Sequence, residues 1–529
     1  MLGVRRRTMH SGGSEEARMP AVPGPRHSLG IDLGTSSLKV VLLREDGSPV
    51  AAATRSYPIQ VPQPGWAEQS PDAWWEAACQ AMRAVLAEAD AAPETVAALC
   101  VGGQMHGTVL LDSHHALLRP AIIWPDQRAG AEAAEAEALL EAAALLPRLG
   151  GGVAAGFMLA SLLWVRAHEP ELWTHLAVAL LPKDYLRFRL TGVLASEPSD
   201  GTGIPAIDLS APEPIWCAQA LAALALPPDI FPPLQRSIDP AGAISAEAAR
   251  ETGLRAGTPV LCGGSDQAMA AIGAGLLAPG TALISISTGG QIVTPLTAPL
   301  PDPRHGLRTL CHAVPGTYLA LSATLGAGLS IRWLREGVLD LRGPDADAQL
   351  AALAAEAPPG AGGLLFLPYL AGERAPLLDP ATSGAFVGLR LDHGRPHLAR
   401  SVLEGVAMSL RHAQEPLVAA GVAIDRIILA GGAARMPLLR QIMADVLGQT
   451  VTPLETAEQS ALGAALLAAT HAGFFPDLDA ACLTVVRYGA PVLPDPARRA
   501  RYQALYAQYR TLYPALRETT HALRKLAEE

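Results

Sequence analysis

The string Gly263-Gly264-Ser265-Asp266-Gln267 carries the most pointed chemistry in the sequence. An apolar run at 260–262 leads into it and a stretch of small residues follows. A strand is therefore expected to end at the glycines, with Asp266 just before a helix. A carboxylate in that position caps the helix, or it serves as a general base. The second role has a defined use. Moving a γ-phosphoryl group onto an alcohol requires one group that orients the hydroxyl and takes its proton, a contribution of about 10²–10⁴ in rate.

Phosphate oxygens need convergent donors. Gly34-Thr35-Ser36-Ser37 lies between apolar runs at 29–33 and 38–43, and Ser287-Thr288-Gly289-Gly290 repeats that layout later in the chain. Each tight turn offers backbone N–H groups and hydroxyls, and glycine permits close approach. Asp32, at the strand end beside the first turn, is placed to hold Mg²⁺ through water. Taken alone, the same residues also make an ordinary hairpin. Gly431-Gly432 follows an apolar run at 426–430 and precedes a helical pattern. Bare backbone there lets adenine or ribose lie against the chain; a tightly packed helix start fits equally. In Gly102-Gly103-Gln104-Met105-His106-Gly107, a histidine on a glycine-rich loop can donate to or accept from hydroxyls. Packing is the plainer reading of an isolated Met-His pair, and of Trp66.

These residues require elements to hold them. The opening reads as a β-meander, and a helix follows at 71–89, then a strand at 96–101. Alternation continues to about residue 275 and indicates an α/β domain. The second hairpin suggests a duplicated fold, with 273–280 as a hinge between halves. The second half offers a strand at 426–430 and helices at 437–447, 460–470 and 496–527. In the last, Tyr502, Leu505, Tyr506, Tyr509 and Leu512 form a stripe at helical spacing, read as packing. The first turn leads into a strand, so it is not a Rossmann turn. No Gly-Lys pair occurs, which excludes a Walker-type P-loop.

Composition narrows the class. At roughly 100–200 residues per domain, 529 residues imply at least two domains. The net charge of −10 argues against a basic nucleic-acid face. Six scattered cysteines make no Cys-x-x-Cys pair and fit a reducing cytoplasm. The apolar stretch at 149–165 is shorter than the roughly 20 residues of a membrane span. It reads as a loop followed by a buried helix. Residues 1–27 read as a disordered leader, with no signal peptide.

Taken together, these strings resemble the FGGY carbohydrate kinases of the actin-like ATPase superfamily. The resemblance runs from about 28 to 515. It is carried by "GIDLGTSSLKVVL", "PGWAEQSPDAWW", "GGQMHGTVLLD", "LRPAIIWPDQR", "LLPKDYLRFRLTG", "GGSDQA" and "GAFVGLRLDHGRPHLARSVLEG". "GQMHG" and "LPKDYL" are closest to the xylulokinase branch. The resemblance implies a duplicated two-domain actin-like (ribonuclease H-like) α/β fold, with ATP in the cleft between an N-terminal domain at 28–275 and a C-terminal domain at 276–529.

It also implies roles for residues. Asp266 is the general base and Asp32 the metal-side carboxylate. Met105, His106, Asp126, Arg128 and Gln267 line the sugar. Thr35, Ser36, Thr288 and Gly289 hold the phosphates of ATP-Mg²⁺; Gly431, Gly432 and Ala433 hold the nucleoside. A homodimer is implied, and neither a nucleic-acid nor a membrane partner. The sequence departs from the family pattern at Met158, Ser161 and Ala167 in the first signature, at Gln267 after the base, and at the second turn, which reads "STGGQ". The expected reaction is phosphorylation of the terminal hydroxyl of a ketopentose. The alternatives are another ketopentose such as ribulose, a polyol, or an actin-like ATPase with no sugar substrate.

Overall fold

The structure is a computed structural model and describes residues 24–300 and 306–528. Residues 1–23 of the expected leader lie outside the described residues. The first strand, β1 (His27–Leu33), pairs antiparallel with β2 (Ser37–Arg44), which pairs antiparallel with β3 (Pro49–Ser56). The meander forms because apolar runs flank short polar turns, and strand alternation buries one set of side chains. Helix α1 (Pro71–Glu88) is capped by Ser70, has proline in its first turn, and buries Trp74, Ala78, Met82 and Val85. Strand β4 (Val96–Gly103) then adds parallel to β1.

The segment 149–165 behaves as expected: loop, then a helix, α2 (Met158–His168), with residues 158–165 all buried. Helix α3 (Pro182–Thr191) follows, then β5 (Pro240–Ala243) and β6 (Pro259–Ser265). The first sheet has the order β5-β6-β4-β1-β2-β3. Helix α4 (Asp266–Gly273) leaves the end of β6 directly.

The second half repeats the plan. Strands β7 (Gly280–Ile286) and β8 (Gly290–Leu296) form the second hairpin, and β9 (Arg308–Cys311) and β10 (Tyr318–Thr324) extend the antiparallel side. After α5 (Arg395–Ala419), strand β11 (Ile424–Ala430) adds parallel to β7. Helix α6 (Pro437–Leu447) and strand β12 (Val451–Pro453) follow. The order is β9-β10-β8-β7-β11-β12. Both sheets thus join an antiparallel meander to parallel strands at one central strand, β1 or β7. This is a two-domain α/β structure with two mixed sheets.

Helix α7 (Gln459–His471) comes from the second half of the chain but packs on the first sheet. Small residues allow it: a Cβ on Gly30 would lie 2.0 Å from the Ala461 carbonyl oxygen, and one on Gly463 would lie 1.9 Å from that of Met269. One apolar core therefore mixes Cys100, Met269 and Ile272 with Leu283, Ile428 and Leu466. The last helix, α8 (Pro496–Glu528), buries Tyr502, Tyr506 and Tyr509, as the stripe required. Among the described residues no helix is long and apolar enough to cross a membrane, and all six cysteines are free thiols.

Candidate active site

Asp266 admits two readings, a cap or a base. The cap is Ser265, whose hydroxyl accepts from the Ala268 amide at the start of α4. Asp266 is thus the first helical residue, and its Oδ1 is buried without a hydrogen-bond partner. The sequence expectation that the strands end at the double glycines is corrected here. Both run on, with Gly264 pairing Gly102 and Ser265 pairing Gly103. A Cβ at Gly102 would sit 2.7 Å from Met269 Cγ, so glycine is what lets α4 close over these strand ends. Gly263 has φ +78°, and a Cβ there would strike the Val101 carbonyl oxygen at 1.9 Å.

Asp32 lies close enough for its charge to act on Asp266. Its Oδ1 is also buried without a partner. Burial raises the Asp32 carboxyl to about 6, against the opposing pull of the Ser460 hydroxyl and Lys39. Burial, reinforced by the negative charge of Asp32, raises Asp266 to about 7. A hydrogen bond from Gln267 works in the other direction. Two carboxylates that feel each other, with free oxygen lone pairs on both, make a site able to accept a proton near neutral pH.

The two turns lie at the tips of their hairpins. In the first, the Gly34 amide donates to the Ser37 carbonyl at 3.1 Å, and Ser36 is exposed. The Thr35 hydroxyl accepts from the Trp124 indole at 2.8 Å, and its carbonyl accepts from Gln69 at 2.6 Å. In the second, the Ser287 amide donates to the Gly289 carbonyl at 3.0 Å, and Ser287 and Thr288 are exposed. The Leu329 amide ties to the Thr288 carbonyl at 2.8 Å. Beyond β11, Gly431 has φ +94°, and a Cβ there would lie 2.2 Å from the Ile286 carbonyl oxygen. Its neighbour Gly432 is exposed, and a Cβ there would meet nothing within 4 Å. Bare backbone at Gly432 therefore faces open space, while its neighbour Ala433 is half-buried and packs against the core of the second half.

The Met-His loop is built with care. His106 takes φ +75°, and its Nδ1 lies 2.7 Å from the Gly203 carbonyl. That carbonyl can only accept, so Nδ1 carries the hydrogen and Nε2 is left as an acceptor. The ring stacks on Phe157 with centroids 4.0 Å apart. Burial, and after it the charge of Arg308, lowers His106 to about 3, so the imidazole is neutral. Met105 is buried, with its Cε against Gly203.

Asp126 and Arg128 lie together, bonded to each other through Arg128 Nε and Nη2. Asp126 also accepts from the amides of Ala67 and Arg128, and Arg128 pairs with Glu68 at 2.7 Å. The guanidinium lies 3.6 Å over the Trp66 ring, which gives Trp66 its packing role. Arg128 Nη1 remains buried and unpartnered. Of the three departures in α2, Met158 is buried, Ala167 is exposed, and Ser161 is buried with an unpartnered hydroxyl.

Several further residues surround this site, and most carried no warning in the sequence. Lys183 is buried beneath the loop, pairing with Asp184 at 2.6 Å and Glu197 at 3.2 Å. A Cβ on Gly103 would touch its Cβ at 3.1 Å. Burial opposes its charge, but Asp184 and Glu197 hold it above the ordinary lysine range. Asp200 is buried with neither oxygen partnered. Burial pushes it well above the carboxylate range, and the charge of Asp266 adds to the effect. From the second half, Arg308 lies 4.7 Å over the Phe157 ring, and the charge of Arg374 reaches His106. "LPKDYL" flagged Lys183, whereas Asp200 sits in a one-turn helix, Arg308 at the start of a four-residue strand and Arg374 in a loop, all too short to show a period.

The geometry agrees with what the chain is similar to. Residues 27–273 match the N-terminal domain of the FGGY family of carbohydrate kinases, and residues 282–472 match its C-terminal domain. The xylulose kinase of Escherichia coli (strain K12) is 37% identical over 489 residues, covering 92% of this chain and 99% of that protein. That of Bacillus subtilis (strain 168) is 33% identical over 500 residues, covering 94% and 99%. Among solved structures, the xylulose kinase of Rhodospirillum rubrum superposes with a TM-score of 0.87 at 36% identity, covering 94% of this chain and all of that one. Two mixed sheets of one plan, hairpin turns at both tips and a match across both halves carry one conclusion: the chain belongs to the FGGY family of carbohydrate kinases, ATP-dependent sugar kinases of the actin-like ATPase fold.

Proposed function

We propose that this kinase transfers the γ-phosphoryl group of ATP to the terminal hydroxyl of D-xylulose, giving D-xylulose 5-phosphate and ADP. The observation that carries the reading is Asp266: relieved of capping by Ser265, unpartnered at Oδ1, and held near neutrality by burial and by Asp32. The ketose binds at the Met105–His106 loop, with Arg128 Nη1 and Gln267 beside it. Asp126 acts by orienting Arg128. Neutral His106 presents Nε2 as an acceptor to a sugar hydroxyl. Buried polar groups favour a ligand rich in hydroxyls, because each one left unpaired costs about 1–3 kcal/mol. Asp266 takes the proton of the terminal hydroxyl as its oxygen bonds to the γ-phosphorus and ADP leaves.

The phosphates lie between Thr35 and Ser36 on one side and Thr288 and Gly289 on the other. The nucleoside lies along Gly431, Gly432 and Ala433. Asp32 fits a Mg²⁺ ion that arrives with the nucleotide, since its Oδ1 is buried and unpartnered. Asp32 would be the residue of this chain that holds such an ion. Such an ion neutralises phosphate charge. Closure of the halves excludes water, which suppresses wasteful hydrolysis of ATP. Free thiols and a sugar-phosphate product fit a cytoplasmic enzyme, for which a homodimer is the proposed assembly.

Xylulose is favoured over ribulose or a polyol by the two bacterial xylulose kinases that align along nearly the whole chain. A coupled ADP-release assay over ketopentoses, aldopentoses and polyols tests it. Turnover is expected to require sugar and to be fastest with D-xylulose. Sugar-independent turnover refutes the kinase reading; equal rates on unrelated sugars refute the substrate.

A further inference from the structure

Charged side chains around the sugar loop are mostly matched. Arg128 has Asp126 and Glu68, and Arg187 and Lys183 have Asp184. Two arginines from the second half are not. Arg308 begins β9 and reaches across to the first half. There its guanidinium lies 4.7 Å over Phe157, the ring that stacks on His106. Its Nε and Nη2 are buried without a hydrogen-bond partner, and among the described residues no carboxylate lies within ion-pair distance. The reach is fixed by the backbone, because the Thr309 amide donates to the Gly150 carbonyl at 2.8 Å. A Cβ on Gly151 would lie 3.2 Å from Arg308 Nε, so the glycine loop is shaped around the guanidinium.

Arg374 is the second. Its neighbour Glu373 is already committed. Oε1 accepts from the amides of Leu325 and Arg374 at 2.8 and 2.7 Å, and Oε2 from the Ser409 hydroxyl at 3.4 Å. The Arg374 guanidinium makes no ion pair among the described residues. Both cations act on His106 in the same direction. Burial and then the charge of Arg374 lower Arg308 to about 10, against a weaker opposing pull from Glu137. Arg308 is thus destabilised where it stands, and the charge of Arg374, itself exposed, adds to that cost. A buried cation without a counter-ion costs several kcal/mol. A neutral ketose does not offset that cost, whereas an anion does.

We infer that Arg308, aided by the charge of the exposed Arg374, forms an anion-binding subsite at the His106–Phe157 end of the acceptor site, taking the carboxylate of a sugar acid. The inference rests on reading the His106 loop as the acceptor site. A carboxylate, rather than the transferred phosphoryl group, is favoured because Arg308 packs on the sugar loop through Phe157. The turns assigned to the phosphates are made by other residues. Planar guanidinium groups suit a carboxylate, and hydrogen bonds between charged partners are worth about 1.5–3 kcal/mol each.

The test uses two ligands that differ in one group, xylonate and xylitol, as inhibitors of D-xylulose phosphorylation by the full chain. Xylonate is expected to bind at least about tenfold more tightly than xylitol, the equivalent of about 1.4 kcal/mol. That preference is expected to fall below about threefold in Arg308→Gln and Arg374→Gln, and to survive in part in Arg308→Lys. A thermal shift with ADP, retained in each variant, reports intact folding. Equal affinities in the unaltered protein overturn the inference, as does a preference that persists in Arg308→Gln. A fall in kcat on D-xylulose with no change in preference overturns it too, and assigns the arginines to the phosphoryl group. If D-xylulose is not turned over, the substrate reading falls by itself. Calorimetric titration with xylonate and xylitol then decides the subsite on the same two criteria.

Discussion

Replacing Asp266 by asparagine separates the chemistry of the site from its stability. Asparagine keeps the shape and accepts the bond from Gln267, but it neither ionises nor takes a proton. The expected loss in kcat is about 10²–10⁴, the worth of a positioned general base. The expected change in stability has the opposite sign. The folded carboxyl titrates at about 7, against an ordinary value of 3.8. Its folded pKa is raised, so the contribution to stability is full below about pH 4 and is lost as pH rises through 7. A difference of roughly 3 units at 1.36 kcal/mol each sets a ceiling near 4 kcal/mol by pH 8. The uncharged amide escapes that loss, so D266N melts higher than the parent at pH 8 and nearly with it at pH 4. The assays are initial rate by ADP release, and melting temperature without nucleotide across pH 4 to 8. Near-full turnover refutes the base. A stability difference that does not change with pH refutes the buried, near-neutral carboxyl from which the base was argued.

The parent's kcat/KM is expected to rise with pH through about 7 as Asp266 ionises, and D266N should lack that limb. His106→Ala removes an acceptor, so the sugar KM should rise about 3–10-fold with a smaller change in kcat, the worth of one neutral hydrogen bond. Because His106 stays neutral far below pH 5, the sugar KM should show no histidine limb between pH 5 and 8. Gly431→Ala, strained at φ +94° and clashing with the Ile286 carbonyl, should lower stability by at least about 1–3 kcal/mol. Gly432→Ala should leave the melting temperature unchanged, so any lost ADP affinity, read by calorimetry, reports contact with the nucleoside. Lys183→Met leaves Asp184 and Glu197 short of a buried counter-ion, and should cost about 3–5 kcal/mol in thermal melts at pH 7.

What the sequence disclosed followed its periodicities. Both hairpins, the helices at Pro71–Glu88 and Pro437–Leu447, and the tyrosine stripe were legible because apolar spacing and turn residues are local signals. The strand ends at Gly102-Gly103 and Gly263-Gly264 were misjudged for the converse reason. Glycine usually ends a strand, but here two strands meet through glycines so that α4 can close on them, which is a tertiary fact. Trp66 was legible as packing, yet its partner Arg128 was not, because the stack joins residues far apart in the chain. Helix α7 could not have been assigned to the first sheet from its own run of alanines and leucines; its destination is written in Gly30 and Gly273, the residues it packs against.

The same separation holds for charge. A single Lys-Asp pair in "LPKDYL" is visible in sequence, but whether a charge is matched depends on what folds around it. Beneath the Met105–His106 loop, Lys183, Arg187, Asp184 and Glu197 balance one another without solvent. They hold the strand ends rigid and need no ligand. Around Asp266 the balance fails in both halves of the chain. Asp32, Asp200 and Asp266 stand with unpartnered oxygens, and Arg308 stands with unpartnered nitrogens. The acids belong to the first half of the chain and the arginine to the second. On the proposed reading, a ligand bridging the two halves would relieve both costs at once, so binding and closure would draw on the same free energy. Under the proposed phosphoryl transfer, that coupling would favour two ligands bound together over one.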